Sequence, residues 1–448
     1  MARALIATVG TGTRPDADIT QPLIKSIRGS NPERVLFLVT RESEPLAREA
    51  ARGAGLPDGG WRVVSLENME DVNDVFRVAT GEIRRLMAEG YAGGELEVDY
   101  TTGTKSMSAG VVLAAVATGC GSLKYVGGRR SHGIVIPGTE RVYTMEAGAV
   151  IAFTELGRAH SLLRDLRFDA ALYVWRGVNP SLLEEGRRDE LEDLGKIIQG
   201  YDRWDKFDHI EAVELFRKVD FDRPWNAPYR ISNEMRERLR RLGSARNAGR
   251  TSEDLVADLA NNAWRRWREG KYDDAVARLY RLTEMLAQRE LKERYDIKAA
   301  NVKLDRLPAE LHSKLEGYRS ERDDKIKIGL AACYWLLAEL ESRVRPVDGQ
   351  DDGVGSPPGL GAAFAASDRM PGLLEARNRS ILAHGLEPVA QEVCEGFFRE
   401  VMVLCRVAVP DLDARRRELQ FPWMRDQPDP TPPSDGEAAG RTGAEGAL

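Results

Sequence analysis

One segment of this 448-residue chain, Leu373–Gly385, places two arginines, an asparagine and a histidine close together. These residues are Arg377, Asn378, Arg379 and His384. Histidine titrates near neutral pH and can move protons, while arginine can hold a phosphate bidentately and offset charge growing in a transition state. The combination fits metal-free RNA cleavage, in which a ribose 2′-hydroxyl attacks the adjacent phosphorus and leaves a 2′,3′-cyclic phosphate.

The spacing of these residues decides which of them can act together. The pattern from Leu373 predicts a helix that stops at Gly385. Arg377 precedes His384 by about two turns and would share its face, whereas Arg379 would be rotated away unless the helix end adjusts. Both arginines therefore stay candidates, with Asn378 able to orient His384 or a phosphate oxygen. The alternative is that His384 merely interacts with the helix dipole. No carboxylate cluster supports a magnesium-dependent nuclease.

Two loops near the N-terminus form a second candidate site, for an anion. Each follows a predicted strand, and the second runs into an apolar helix, so free N–H groups and the positive helix end would meet at the sheet edge. Hydroxyls and one lysine would suit phosphates or ribose. The candidate residues are Gly10, Thr11, Gly12, Thr13, Thr101, Thr102, Gly103, Thr104, Lys105 and Ser106.

Neither common nucleotide-binding motif fits these loops. A P-loop needs glycine where Thr104 and Asp99 stand, and a dinucleotide fingerprint needs glycine or alanine where Pro15 stands. An ordinary Rossmann enzyme with a helical dimerisation domain is thus disfavoured. The alternative is that these loops serve only to end strands and have no binding role.

The rest of the chain supplies the framework. Short apolar runs alternate with helical patterns up to residue 153, which predicts an α/β, Rossmann-like domain with a mostly parallel sheet. Helical patterns follow almost throughout, so the C-terminal half should be all-α. The expected strands are Ala4–Val9, Arg34–Val39, Arg62–Ser65, Leu96–Tyr100, Leu123–Val126 and Gly133–Ile136. We expect domains at 1–153, 154–250 and 251–424, and a disordered Pro-, Gly- and Ala-rich tail at 425–448.

Composition excludes several classes of protein. The net charge of −6, from 65 basic and 71 acidic residues, argues against stable duplex-DNA binding. The four cysteines form no C-x-x-C pair, so no zinc or redox motif is indicated. No apolar run approaches the about 20 residues that span a bilayer, and the apolar start is too short for a signal peptide. A cytoplasmic protein is expected.

Taken together, the two sites resemble those of the CARF–HEPN ribonucleases of type III CRISPR systems. The loops at Gly10–Thr13 and Asp99–Met107 look like the ligand loops of a CARF domain. Arg377-Asn378 followed by His384-Gly385 is similar to the HEPN signature, and Arg379 satisfies its spacing too. Residues Lys271–Gln288 resemble the opening helix of a HEPN domain.

The resemblance implies a nucleotide-sensing CARF domain at 1–153, a helical connector at 154–250 and a HEPN ribonuclease domain at 251–424. It implies a homodimer in which cyclic tetra- or hexa-adenylate binds the CARF pair and activates cleavage of single-stranded RNA by the HEPN pair. Catalysis would need no cofactor or metal. Slow cleavage of the activator by the CARF domain is a further expectation.

Two other functions stay open at this point. A CARF-type transcription regulator would need a basic helix-turn-helix, and none is visible. The second is a nucleotide sensor whose helical half is only a scaffold or regulator. RNA cleavage that is lost when His384 is replaced would distinguish a nuclease from such a sensor. The residues do not indicate the size of the activating ring or the RNA sequence preference.

Overall fold

The computed structural model describes residues 4–12, 19–131, 134–136, 138–343 and 358–427. The chain divides into two compact units. The first comprises Met1–His160 and Tyr173–Leu191, and the second comprises Ser161–Leu172 and Glu192–Leu448.

A six-stranded sheet organises the first unit, in the order β3-β2-β1-β4-β5-β8. Strands β1 to β5 run parallel, and β8 pairs antiparallel with β5. A separate hairpin joins β6 and β7. The strands are β1 (Ala4–Val9), β2 (Arg34–Val39), β3 (Trp61–Ser65), β4 (Leu96–Asp99), β5 (Ser122–Gly127), β6 (Arg130–Ser131), β7 (Ile134–Val135) and β8 (Arg141–Glu146).

Helices cover both faces of this sheet, so its central strands are buried on both sides. All six residues of β1 are buried, as a parallel strand between two helical layers requires. The helices of this part of the chain are α1 (Thr20–Ser30), α2 (Glu44–Ala54), α3 (Val72–Ala88), α4 (Lys105–Thr118), α5 (Gly148–Arg164) and α6 (Phe168–Gly177). One apolar core lies under α1 and α2 and the other under α3 and α4.

The second unit is built from helices. They are α7 (Glu185–Asp205), whose first residues belong to the first unit, α8 (His209–Phe216), α9 (Asn233–Asn247), α10 (Glu253–Arg268), α11 (Tyr272–Tyr295), α12 (His312–Glu316), α13 (Leu330–Glu341), α14 (Leu360–Ala365), α15 (Met370–Arg379), α16 (Gln391–Ala408) and α17 (Leu412–Glu418). The central pair α10 and α11 packs against α16 and α17.

A buried polar network ties α7 and α8 to α10 inside this unit. The Asp258 carboxylate accepts hydrogen bonds from Trp204 at 3.0 Å and lies 2.8 Å from Nε2 of His209. Arg265, fully buried, donates to Asp205 at 2.6 Å. Buried charges are retained only when they are paired and hydrogen-bonded in this way.

The fold class predicted from the sequence is confirmed. Strands β1 and β2 have the predicted bounds. The antiparallel edge strand β8 was missed, and the predicted strand at 133–136 forms β7 of the hairpin instead of joining the sheet. The predicted tail lies outside the described residues except for 425–427.

The cysteines lie in the interior as free thiols. Cys120, Cys333, Cys394 and Cys405 are free and buried. Burial raises the pKa of Cys120 to about 11 and the pKa of each of the other thiols to about 12, so they stay protonated at neutral pH. Among the described residues, no helix is sufficiently long and apolar to span a bilayer.

Candidate functional site

The segment with the arginines and histidine is not one helix. Helix α15 starts at Met370, with Pro371 in its first turn where a missing N–H costs nothing. It ends at Arg379, because Ser380 adopts an extended conformation with ψ of 161°. The prediction of a helix up to Gly385 was therefore wrong, and Arg377 and His384 do not lie two turns apart on one face of a helix.

A compact turn, rather than a helix, brings His384 back toward α15. The N–H of His384 donates to the carbonyl oxygen of Asn378 at 3.2 Å, and the N–H of Gly385 donates to Ser380 at 3.2 Å. Glu387 N–H then bonds to the Arg379 carbonyl at 3.0 Å. The turn places His384 beside the last turn of α15 with its side chain exposed.

Gly385 makes this return possible. A Cβ atom at this position would lie 1.9 Å from the carbonyl oxygen of Arg379, far inside any real contact. Only glycine lets two backbone segments approach so closely. The residue predicted to stop a helix thus closes the turn that carries His384.

Arg377 is held by an aromatic ring on another helix. Its guanidinium carbon lies 3.9 Å from the centre of the Tyr280 ring of α11, within the range of a cation–π contact. The same guanidinium donates to Oδ1 of Asn378 at 3.1 Å. Burial raises the pKa of the Tyr280 phenol, as does nearby Glu284, while Arg377 lowers it.

Tyr280 was not predicted as a site residue. Its ring packs on a charged side chain, that of Arg377. Arg379 lies in a different environment, with its guanidinium 3.5 Å from the carboxylate of Glu387. The two candidate arginines therefore differ in their partners, an aromatic face for Arg377 and a carboxylate for Arg379.

At the sheet edge of the first unit, the two predicted loops lie against each other. A Cβ on Gly10 would come within 2.7 Å of the Gly103 Cα, and Gly103 has a φ of +113°, which favours glycine. Thr8 and Thr102 exchange two hydrogen bonds, each hydroxyl donating to the carbonyl oxygen of the other residue. The first-strand loop and the fourth-strand loop thus form one surface.

Several of the predicted hydroxyls are occupied by structural hydrogen bonds. Thr101 accepts from the N–H of Val126 at 2.8 Å. Thr104 is the N-cap of α4, accepting from Met107 N–H at 3.2 Å. Together with Thr102, these side chains shape the loop, and they are only partly exposed.

Other predicted residues have free side chains. Thr11 and Lys105 are exposed and Ser106 is partly exposed. Within the described residues, their side chains make no hydrogen bond or ion pair. Lys105 and Ser106 begin the 14-residue helix α4, where N–H groups lack helical partners and the dipole favours anions. Gly12 turns the first loop with a φ of +82°, and Thr13 lies outside the described residues.

Asp99 lies directly beneath this surface, at the end of β4, and is fully buried. Its carboxylate accepts from the N–H of Thr101 at 2.7 Å and so supports the loop. Burial raises the pKa of Asp99, against the lowering effect of hydrogen bonds from Ser26 and Thr101 and of the charge on Lys124. The sequence of the loop did not indicate that Asp99 would be buried beneath it.

Metal ligands are not assembled at either place. Among residues 4–12, 19–131, 134–136, 138–343 and 358–427, no three His, Cys, Asp or Glu side chains come together as a metal site would require. The chemistry available beside α15 is that of an imidazole and guanidinium groups.

Comparisons with known protein families match part of the second unit. Residues 245–408 match the family described as the Csm6 HEPN domain. This range includes Tyr280, Arg377 and His384. A search of curated protein sequences found no match.

A solved structure resembles nearly the whole chain. It is Enterococcus italicus Csm6 bound to cyclic hexa-2′-fluoro-hexa-dAMP, with a TM-score of 0.52 and 12% sequence identity. The match covers 95% of this chain and 100% of that one. At such low identity, the likeness shows a shared fold. Residues 245–408 are therefore similar to the Csm6 HEPN domain, and the chain as a whole shares the α/β-plus-helical fold of the Enterococcus italicus Csm6 structure.

Proposed function

We propose that this protein is a cyclic-oligoadenylate-activated, metal-independent endoribonuclease that cuts single-stranded RNA in type III CRISPR antiviral defence. The arrangement of Arg377 and His384 carries the proposal. Arg377 is held over Tyr280, and the N–H of His384 bonds to the carbonyl oxygen of Asn378, the next residue along the chain from Arg377. Both residues lie in the HEPN domain.

The residues beside α15 can divide the chemistry between them. His384 is exposed and can move the proton of the 2′-hydroxyl or of the leaving 5′-oxygen. Arg377 presents a cation to the scissile phosphate, with Asn378 fixing its orientation. Arg379, whose charge is partly offset by Glu387, is better suited to a supporting contact. The product is a 2′,3′-cyclic phosphate and a 5′-hydroxyl.

The loop surface of the first unit is the proposed binding site of the activator. Cyclic hexa-adenylate or tetra-adenylate offers phosphates and ribose hydroxyls. Lys105, Ser106, Thr11 and the free N–H groups of α4 match these groups chemically. The relative of shared fold was solved with a cyclic hexanucleotide. Activation requires that the ring bind the cutting-competent state more tightly than the inactive state.

A homodimer completes the proposal. Three large apolar side chains near His384 are exposed, namely Ile381 at 62%, Leu382 at 50% and Leu386 at 86%. Exposed apolar clusters of this kind mark interaction surfaces. A second copy covering them would bring two sets of Arg377 and His384 to one groove. Such a protein would work in the cytoplasm, where foreign transcripts are found.

The chemistry is tested by the ends of the products. A single-stranded RNA should be cut in EDTA by the activated protein and leave 2′,3′-cyclic phosphate ends, while its 2′-O-methyl version stays intact. His384→Ala and Arg377→Ala should each abolish cutting. Arg369→Ala, an exposed arginine at the start of the same helix, should leave it unchanged. Loss of activity in EDTA, or 3′-hydroxyl ends, would refute the proposal.

A further inference from the structure

A large basic groove lies elsewhere in the second unit, between α9 and α11. Its cavity has a volume of about 980 Å³. Six basic side chains line it against two acidic ones, Asp254 and Glu293. The basic residues are Arg240, Arg241, Arg250, Arg281, Arg289 and Lys292. This concentration of positive charge contrasts with the net charge of −6 of the whole chain.

Part of this charge is not neutralised by neighbouring residues. Four of the six basic side chains pair with carboxylates: Arg240 with Glu237, Arg281 with Glu284, Arg289 with Glu293 and Lys292 with Asp296. Arg241 and Arg250 are exposed, and within the described part of the chain no carboxylate lies within ion-pairing distance of either. Exposed cations that a fold leaves unpaired in a concave site raise the local concentration of anions.

The backbone places Arg250 at the groove by a specific turn. Helix α9 ends at Asn247, and Gly249 then takes a φ of +64°. Ser252 starts α10 by accepting a hydrogen bond from the N–H of Leu255 at 3.2 Å. The short link between the two helices therefore presents Arg250 opposite the basic face of α11.

The groove is elongated along α11. From Arg281 to Lys292 the helix rises about 16 Å, at 1.5 Å per residue. Arg281 also lines a second cavity of about 390 Å³, which continues past Arg278 and Arg246. A long groove with cations along its wall fits an extended polyanion better than a compact ion.

The groove is also connected to the catalytic residues through α11. Arg281 follows Tyr280, and successive side chains on a helix point about 100° apart. Tyr280, which holds Arg377, is therefore about 100° from Arg281 and about 180° from Arg289 around the helix axis. A strand of RNA cut beside Arg377 would have to pass around α11 to reach the groove, so the groove is a site separate from the cut site.

We propose that this groove binds the phosphate backbone of single-stranded RNA outside the cut site, with Arg241 and Arg250 as its principal contacts. The inference rests on the proposed nuclease function for the identity of the polyanion. Contacts to phosphates carry little sequence information, so the groove would add affinity for long substrates without changing the preferred cut site.

The test measures binding separately from cutting. The full chain carrying His384→Ala is titrated against a 5′-fluorescein-labelled 20-nucleotide polyuridine RNA, with cyclic hexa-adenylate and with cyclic tetra-adenylate, and anisotropy is recorded. Adding Arg241→Glu and Arg250→Glu should weaken binding at least tenfold at low salt. The slope of log affinity against log salt should fall by about 1.4, because two phosphate contacts are lost at about 0.7 each.

Controls separate a local effect from a general change of charge or fold. Arg268→Glu with Arg322→Glu reverses two exposed arginines that do not line the groove, and should change affinity less than twofold. Arg241→Gln with Arg250→Gln should show a smaller loss than the glutamates, with unchanged thermal unfolding. A cleavage-competent groove variant should cut a quenched tetranucleotide as fast as the parent does, but cut the 20-mer more slowly.

The possible failures are distinguishable. A parent protein that binds and cuts RNA, with a groove variant of equal affinity and salt dependence, would overturn the groove alone. A parent that neither binds nor cuts RNA would overturn the proposed function and the groove with it. Equal losses in the groove variant and the charge-matched control would overturn the assignment to Arg241 and Arg250.

Discussion

The guanidinium carbon of Arg377 lies 3.9 Å from the centre of the Tyr280 ring. This contact joins α15, which carries the candidate catalytic arginine, to α11 in the centre of the HEPN domain. An arginine side chain has considerable rotamer freedom when unrestrained. The ring restricts that freedom and leaves the guanidinium charge available to a phosphate.

Tyr280 should therefore act as a positioning residue. Tyr280→Phe keeps the ring and should keep kcat within about twofold. Tyr280→Leu loses the cation–π contact, worth about 0.5 to 1 kcal/mol at a partly exposed site, and should lower kcat about two- to fivefold. Single-turnover cleavage with saturating RNA measures this. A Phe variant as slow as the Leu variant would show that the phenol, not the ring, matters.

Gly10 should control the sensor surface. Gly10→Ala would push a Cβ to within 2.7 Å of the Gly103 Cα, so the two loops must separate. We expect the affinity for the activating cyclic adenylate to fall at least tenfold, measured by calorimetry. Gly29→Ala, where nothing lies within 4 Å, is the matched control. Unchanged affinity in Gly10→Ala would mean that the ring does not bind at these loops.

Asp99 should make stability depend on pH in a defined direction. Its pKa is raised by burial, so the folded state favours the protonated acid. This contribution to stability is present below the unfolded pKa of about 3.9 and is lost as the pH rises through the folded pKa. Asp99→Asn should therefore gain stability relative to the parent as the pH rises above the unfolded pKa of about 3.9, in urea unfolding. A relative loss over that range would contradict the raised pKa.

Asp258 should be important for the stability of the second unit. Removing the charge of Asp258 in Asp258→Asn weakens the contacts to His209 and Trp204. It also leaves the buried positive charge of Arg265 with one carboxylate fewer beside it. Breaking a buried pair costs about 3 to 5 kcal/mol, and urea unfolding followed by tryptophan fluorescence should show a loss of this order. Asp222→Asn, at a side chain 91% exposed, should change stability by less than about 0.5 kcal/mol.

The sequence predicts best where one local signal decides the structure. Apolar runs such as Ala4–Val9 have no alternative to burial in a parallel sheet, and their bounds were correct. The failure beyond Arg379 has the opposite cause. Local helical spacing was overridden by the close approach of Gly385 to the Arg379 backbone. That contact depends on the return of the chain, which periodicity does not encode.

The candidate sites show the same difference between residues marked by a local signal and residues whose role depends on tertiary contacts. Gly10 and Gly103 were found because glycine and threonine mark loops, and the structure brings these loops together. Tyr280 and Arg250 were not found, because their roles depend on which helices become neighbours. An aromatic residue on a helix resembles core, and an arginine in a loop resembles solvated surface, until tertiary structure places a partner or a groove beside it.

Cleavage of a fluorophore- and quencher-labelled single-stranded RNA in EDTA, with and without cyclic tetra- or hexa-adenylate, measures the sensor, the nuclease and the catalytic histidine together. We predict a signal that appears only when one of the two rings is present and that disappears in His384→Ala. Silence with both rings, or a signal that is equal without any ring or persists in His384→Ala, would contradict the central claim.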